Sequence, residues 1–237
     1  RHGRLHGPHE VSMVNLDDIR RELGEGNRVL LLVRHGERPQ IDNEDPTFGA
    51  ALPLTAAGRE MSRAFGAALK GSAADVRFRA SPLLRTVQTA AFIAEGMGLG
   101  TPEIPTDPVV GNSCAFVADE HEVWEVFRDG AFFARMDEYL HTGRQRGFHP
   151  LASAAANYER EQLARFTTGQ LGIFTTHDLY IAAYLHAKGV KTDFSRADWP
   201  RFLDAAALIG TPDGAWRTEY VRSGFSDGIC GVRSVSA

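Results

Sequence analysis

A strand that is apolar at every position must be covered on both faces, and residues 28–33, Arg-Val-Leu-Leu-Leu-Val, read as such a strand. Buried strands of this kind belong to parallel sheets, so helical segments should alternate with the strands. They do. Asn15 can cap a helix with Leu16, Ile19 and Leu23 on one face and Gly24 at its end. Thr55 can cap a second helix, to about Lys70, through Met61, Phe65 and Leu69. A strand fits Asp75 to Ala80, and Ser81-Pro82 should open the next helix in cap-then-proline order. Prolines 102, 105 and 108 mark residues 101–118 as loop around one short strand, and a helical period resumes over 119–141. Leu151 to Phe166 fits a helix, Gln170 to Thr176 a strand and Leu179 to Lys188 a helix. Asp204 to Ile209 fits a further strand, which Trp216 to Arg222 can rejoin after the Pro212-Asp213-Gly214 turn. The expectation is an α/β three-layer sandwich: a mostly parallel central sheet with helices on both faces and a ligand site beyond the carboxyl ends of the strands.

At 237 residues one large core is the simpler division, with 1–13 a tail and 14–237 a single domain. Apolar residues at 43% and charged residues at 24% fit a globular chain and exclude a disordered or collagenous one. A net charge of −4 without a basic block argues against nucleic acid as a partner. No apolar run approaches the ~18 residues of a membrane helix, so no membrane partner is expected and a cytoplasmic location is the default. Cys114 and Cys230 form no CxxC pair and make neither a disulfide framework nor a zinc site.

The residues just past each buried strand carry the chemistry. After Val33 stands Arg34-His35-Gly36-Glu37-Arg38-Pro39; after Ala80, Ser81-Pro82-Leu83-Leu84-Arg85; after Thr176, His177-Asp178. Two histidines and three arginines therefore gather at one edge of the sheet. Guanidinium groups match phosphate oxygens, and imidazole can attack phosphorus or donate to an anion, so a phosphate pocket is expected. Arg1-His2-Gly3 repeats the triplet of residues 34–36, but no strand precedes it.

These segments resemble the histidine phosphatase superfamily, the phosphoglycerate mutase-like family. The likeness rests on Arg34-His35-Gly36-Glu37, the Leu54-Thr55 to Gly58 helix start, Ser81-Pro82-Leu83 to Gln88-Thr89-Ala90 with Arg85, and His177-Asp178, and it runs from about Val29 to Ile209. It implies that His35 is a nucleophile phosphorylated in turnover, and that Arg34, Arg85 and His177 bind the phosphoryl group. One ring nitrogen of His35 should then donate to a backbone carbonyl near Gly36, leaving the other free to attack. Arginine charge would offset the phosphoryl oxygens, so neither a metal nor another cofactor is required.

Arg38 departs from the short-chain branch and resembles the acid phosphatase branch, where it would be a third phosphate clamp. That branch also implies Asp178 as proton donor, whereas the mutase-like branch implies a glutamate of the middle segment, where Glu120, Glu122 and Glu125 look like a charged helix face. Asp178 is the expected donor. Arg144 and Arg146 concentrate charge in a loop that either recognises substrate or is solvated surface. Trp124, Phe127, Phe132, Phe133 and Tyr139 read as helix-packing faces, with a substrate-stacking wall as the less favoured alternative. The expected function is hydrolysis of a small phosphomonoester through a phosphohistidine. A phosphomutase using the same pocket, or a phosphate-binding module without turnover, are the alternatives.

Overall fold

The computed structural model describes residues 13–42 and 44–226. Arg1-His2-Gly3, most of the expected tail and Cys230 lie outside them. Among the described residues six strands form one sheet: β1 (Met13–Val14), β2 (Arg28–Arg34), β3 (Val76–Ala80), β4 (Leu171–Thr176), β5 (Ala205–Gly210) and β6 (Trp216–Val221). Their spatial order is β1-β6-β5-β2-β4-β3. Pairings β2–β4, β3–β4 and β1–β6 are parallel, and β5 runs antiparallel to both β2 and β6. One reversed strand among six makes the sheet mostly parallel, as expected.

The period of two along β2 builds the layers. Val29, Leu31 and Val33 pack with Leu16, Ile19, Met61, Phe65 and Ile93, from helices α1 (Leu16–Gly24), α2 (Ala56–Ala68) and α3 (Leu84–Gly96). Leu30 and Leu32 face the other way, with Val123, Tyr139, Tyr158 and Tyr184. Those residues come from α4 (Glu120–Phe127), α5 (Phe132–Thr142), α6 (Leu151–Arg165) and α7 (Asp178–Ala187). All residues from Val29 to Val33 are fully buried, the condition that the unbroken apolar run implied.

Local chemistry sets most helix starts. Asn15 Oδ1 accepts from the amides of Asp17 and Asp18, and the Asp18 carboxylate accepts the Asn15 amide, a reciprocal capping box. Thr55 Oγ1 accepts the Gly58 amide at 2.9 Å. Four expectations need correction. Ser81-Pro82 does not start α3: Leu83 is the N-cap, with no side-chain cap, because the Ser81 hydroxyl is spent on Thr86 and His177. The helical stretch 119–141 divides into α4 and α5 at Gly130, whose φ of +79° ends the first helix. Residues 101–118 hold two isolated bridges, Thr106 to Ala80 and Val117 to Phe148, and a one-turn 3₁₀ segment at Pro108–Val110 in place of a strand. Met13–Val14, at the expected tail boundary, is a strand paired with β6.

Candidate active site

Because β2, β3 and β4 run parallel, their carboxyl ends bring residues 34–39, 81–85 and 177–178 to one edge of the sheet. His35 continues the ladder, its amide donating to Thr176 O at 3.1 Å, and the residue is 2% exposed. Nδ1 lies 2.8 Å from Gly36 O. A carbonyl only accepts, so Nδ1 carries the hydrogen and Nε2 keeps the lone pair. The chain turns here by close approach: a Cβ on Gly36 would lie 2.8 Å from Gly58 O, and one on Gly58 2.1 Å from Glu37 O. Thr89 Oγ1 accepts the Gly36 amide at 2.9 Å, tying the turn to α3.

His177 is the N-cap residue of α7, and its ring centroid lies 5.5 Å from that of His35 at 62°. Its Nε2 is 3.0 Å from Ser81 Oγ. Burial, reinforced by the charges of His177, Arg34 and Arg85, holds the His35 pKa well below its ordinary value. Burial likewise leads for His177, with Arg85, Arg38 and Arg34 behind it. Both rings are therefore neutral near pH 7.

The arginines surround them. Arg85, on the first turn of α3, donates through Nη1 to Phe48 O and Gly49 O, at 3.1 and 2.9 Å. Burial, with the charges of Arg38 and Arg34, lowers its pKa to about 10. Arg38 donates to Pro39 O at 2.7 Å, and burial with the charge of Arg34 lowers its pKa too. Arg34 donates to Pro200 O, lies 4.4 Å from the Phe202 ring centroid, and reaches Asp178 Oδ2 at 3.0 Å. In all three guanidinium groups Nε is buried without a hydrogen-bond partner among the described residues. A buried donor left in that condition is suited to an oxyanion.

A cavity of about 370 Å³ opens over this cluster. His35, Arg38, Arg85, His177 and Asp178 line it; Arg34 does not, and acts on it through Asp178. Asp178 is placed by Arg34 on Oδ2 and by the Leu179 amide on Oδ1, at 2.9 Å. The competing carboxylates are elsewhere. Glu120 accepts from Ser113, Glu122 is held by Arg146 and Glu125 lies 3.6 Å from Arg128; none lines the cavity. Glu37 braces the loop against α2, accepting from Thr55 Oγ1 at 3.1 Å.

Arg144 and Arg146 do not join the cluster. They line a separate surface depression with Glu138, Phe148 and Pro150, where Arg146 forms a forked pair with Glu122 at 2.9 and 3.0 Å. The charge of Arg146 is answered locally. Conversely, Trp124, Phe127, Phe132 and Phe133, expected chiefly to be packing faces, line the cavity, together with Arg128, Gln40, Ile41, Asp42, Asp45 and Phe48. Their helical spacing signalled packing; nothing in it told which element they would face. Tyr139 is buried as expected, its hydroxyl donating to His149 O. Among the described residues no group of three or more His, Cys, Asp and Glu side chains is placed to hold a metal ion.

Residues 30–108 match the family model described as histidine phosphatase superfamily (branch 1). Solved structures share the fold at low identity. The native mycobacterial glucosyl-3-phosphoglycerate phosphatase is 19% identical over 83% of this chain and 99% of its own, with a TM-score of 0.52. Phosphoserine phosphatase from Entamoeba histolytica, in complex with 3-phosphoglyceric acid, is 15% identical over 84% and 98%, with a TM-score of 0.55. Phosphoglycerate mutase from Bacillus anthracis is 14% identical over 82% and 93%, with a TM-score of 0.52. No curated protein matches the sequence.

Proposed function

Because residues 30–108 match the model of the histidine phosphatase superfamily (branch 1), we propose that the chain is a member of that superfamily and hydrolyses a small phosphomonoester by way of a phosphohistidine on His35. The observation that carries this reading is the Nδ1 bond to Gly36 O, which leaves a neutral Nε2 at the floor of a cavity edged by Arg38, Arg85 and His177.

In the first half-reaction Nε2 attacks phosphorus, the N–P bond forms as the bridging P–O bond breaks, and the electron pair of that bond stays on the alcohol oxygen. The carboxyl of Asp178 gives that oxygen its proton. In the second half water attacks phosphorus, its proton goes to the Asp178 carboxylate, and the N–P electron pair returns to Nε2. The guanidinium groups offset the charge spread over the three equatorial oxygens, and fixed dipoles do this without reorganising at the moment of reaction. Neutrality of His35 and His177 fits this scheme, since a protonated His35 has no lone pair to offer.

The experiment is covalent trapping. Quenching the protein in alkali during turnover of p-nitrophenyl phosphate should leave base-stable, acid-labile phosphate on His35, and His35→Ala should lose both the label and turnover. Label on any other residue, or turnover that survives the substitution, overturns the reading.

A further inference from the structure

Besides its histidines and arginines, the cavity is lined by a group of aromatic rings. Trp124 and Phe127 come from α4, Phe132 and Phe133 from α5, and Phe48 from the loop that holds Arg85. The rings brace one another. Phe127 and Phe132 have centroids 5.0 Å apart, and Phe132 and Phe133 are 5.2 Å apart at 86°. Both of the latter meet the buried Trp199 edge-on at 5.6 Å. Trp124, Phe132 and Phe133 nevertheless keep part of their surface open, an arrangement that is costly in water and useful to an apolar ligand.

Three charged side chains that line the cavity along with the rings already have partners. Asp45 accepts from the Thr47 amide, the Thr47 hydroxyl and the Gly49 amide; Asp42 accepts from the Glu44 amide. Arg128 is paired with Glu125 and lies 5.3 Å from the Trp124 ring centroid. A polyhydroxylated leaving group could reach Gln40, Asp42, Asp45 and Asn112, but the hydroxyls it set against the rings would lose their hydrogen bonds. An aromatic ring would meet preset edges and faces. We propose that the substrates of this site are phosphate monoesters of aromatic alcohols, aryl or arylalkyl, with the ring against the Trp124–Phe133 wall; this rests on the phosphatase reading of the same site.

Two measurements test it. Calorimetric titration with benzylphosphonate and methylphosphonate, which need no turnover, should give a Kd at least roughly tenfold lower for the benzyl compound, the effect of burying one ring. Trp124→Ala should shrink that ratio toward one, and Phe133→Leu, a milder change, gives the same test if the first variant fails to fold. A wild-type ratio near one, or a ratio that survives the substitution, overturns the proposal. In turnover, kcat/KM for benzyl phosphate should exceed that for glycerol 3-phosphate at least tenfold, the two alkoxides being similarly poor leaving groups. Hydrolysis of both at equal efficiency overturns the aromatic class and leaves the phosphatase reading standing. Absence of hydrolysis with any ester, while the phosphonate ratio holds, overturns the phosphatase reading and leaves the aromatic subsite.

Discussion

Two imidazoles buried beside three guanidinium groups give stability an acid dependence whose sign is set by the direction of the shifts. Folded, His35 and His177 titrate well below 6.5; unfolded, they return to it. Between those values the unfolded chain binds more protons, so stability is full above pH 6.5 and falls as pH drops below it, by up to about 1.4 kcal/mol per pH unit for each ring. Urea unfolding at pH 7.0 and 5.5 should show this loss, and His177→Asn should reduce it by roughly 1 kcal/mol. An unchanged loss in the variant would mean that His177 is not buried neutral. Asp178 supports a second expectation. With Asp178→Asn, hydrolysis of an alkyl phosphate should fall roughly 100-fold or more, while p-nitrophenyl phosphate, whose leaving group scarcely needs a proton, is comparatively spared. Equal losses on both substrates would reduce Asp178 to a positioning partner of Arg34. At this scale the sequence was most informative where a side chain's role derives from the strand it ends: His35, Arg85 and His177 meet because their strands are parallel neighbours. It left Arg146 open between substrate contact and surface, because the pairing with Glu122 across 24 residues leaves no trace in composition or spacing.

Among the elements, α2 and α3 cross closely enough to admit no side chain. A Cβ on Gly66 would sit 2.0 Å from Ile93 O, and one on Gly96 2.0 Å from Arg63 O. Backbone cannot yield as a side-chain tip can, so Gly66→Ala forces the helices apart. The strain of overpacking, about 1–3 kcal/mol, should exceed the roughly 1 kcal/mol that alanine gains in a helix interior. Since α3 also carries Arg85 and Thr89, the latter tied to Gly36, the same substitution should lower kcat/KM for p-nitrophenyl phosphate. A variant that matches the wild-type protein in both urea midpoint and kcat/KM would show that the crossing has slack. Helices with a clear apolar stripe and a polar cap, such as α1 and α2, were legible from sequence because both signals are local. The start of α3 was not, since Ser81 fits the cap-and-proline pattern yet serves a histidine 96 residues away. The aromatic wall was hidden for a related reason: its rings acquire a ligand-facing side only after α4 and α5 close over the sheet edge.

Over the whole molecule, the sheet order places β2 between β5 and β4, so the strand that leads into His35 is paired to segments from the far part of the chain. Val29 is in register with Leu171 and Arg34 with Thr176, and Arg28 reaches Gly169 O across 141 residues. The parallel order was foreseeable from unbroken apolar strands alternating with helices. The reversed β5, which returns from α7 as part of a hairpin with β6, was not, because an all-apolar strand reads the same in either direction. Contacts of such separation close late, since a long loop must be ordered before any pairing rewards it. In refolding from urea, helical circular dichroism should therefore recover before phosphatase activity, and simultaneous recovery would mean that β2 and β4 pair early. The β2–β4 register also sets a clock on synthesis. A growing chain displays His35 long before Thr176 has been added, and until the two strands pair it has neither His177 opposite His35 nor Asp178 beside Arg34. The proposed phosphoryl transfer would in this sense be a capacity of the finished sheet, and an unfinished chain holding every residue of the Arg34–Pro39 loop would be chemically silent.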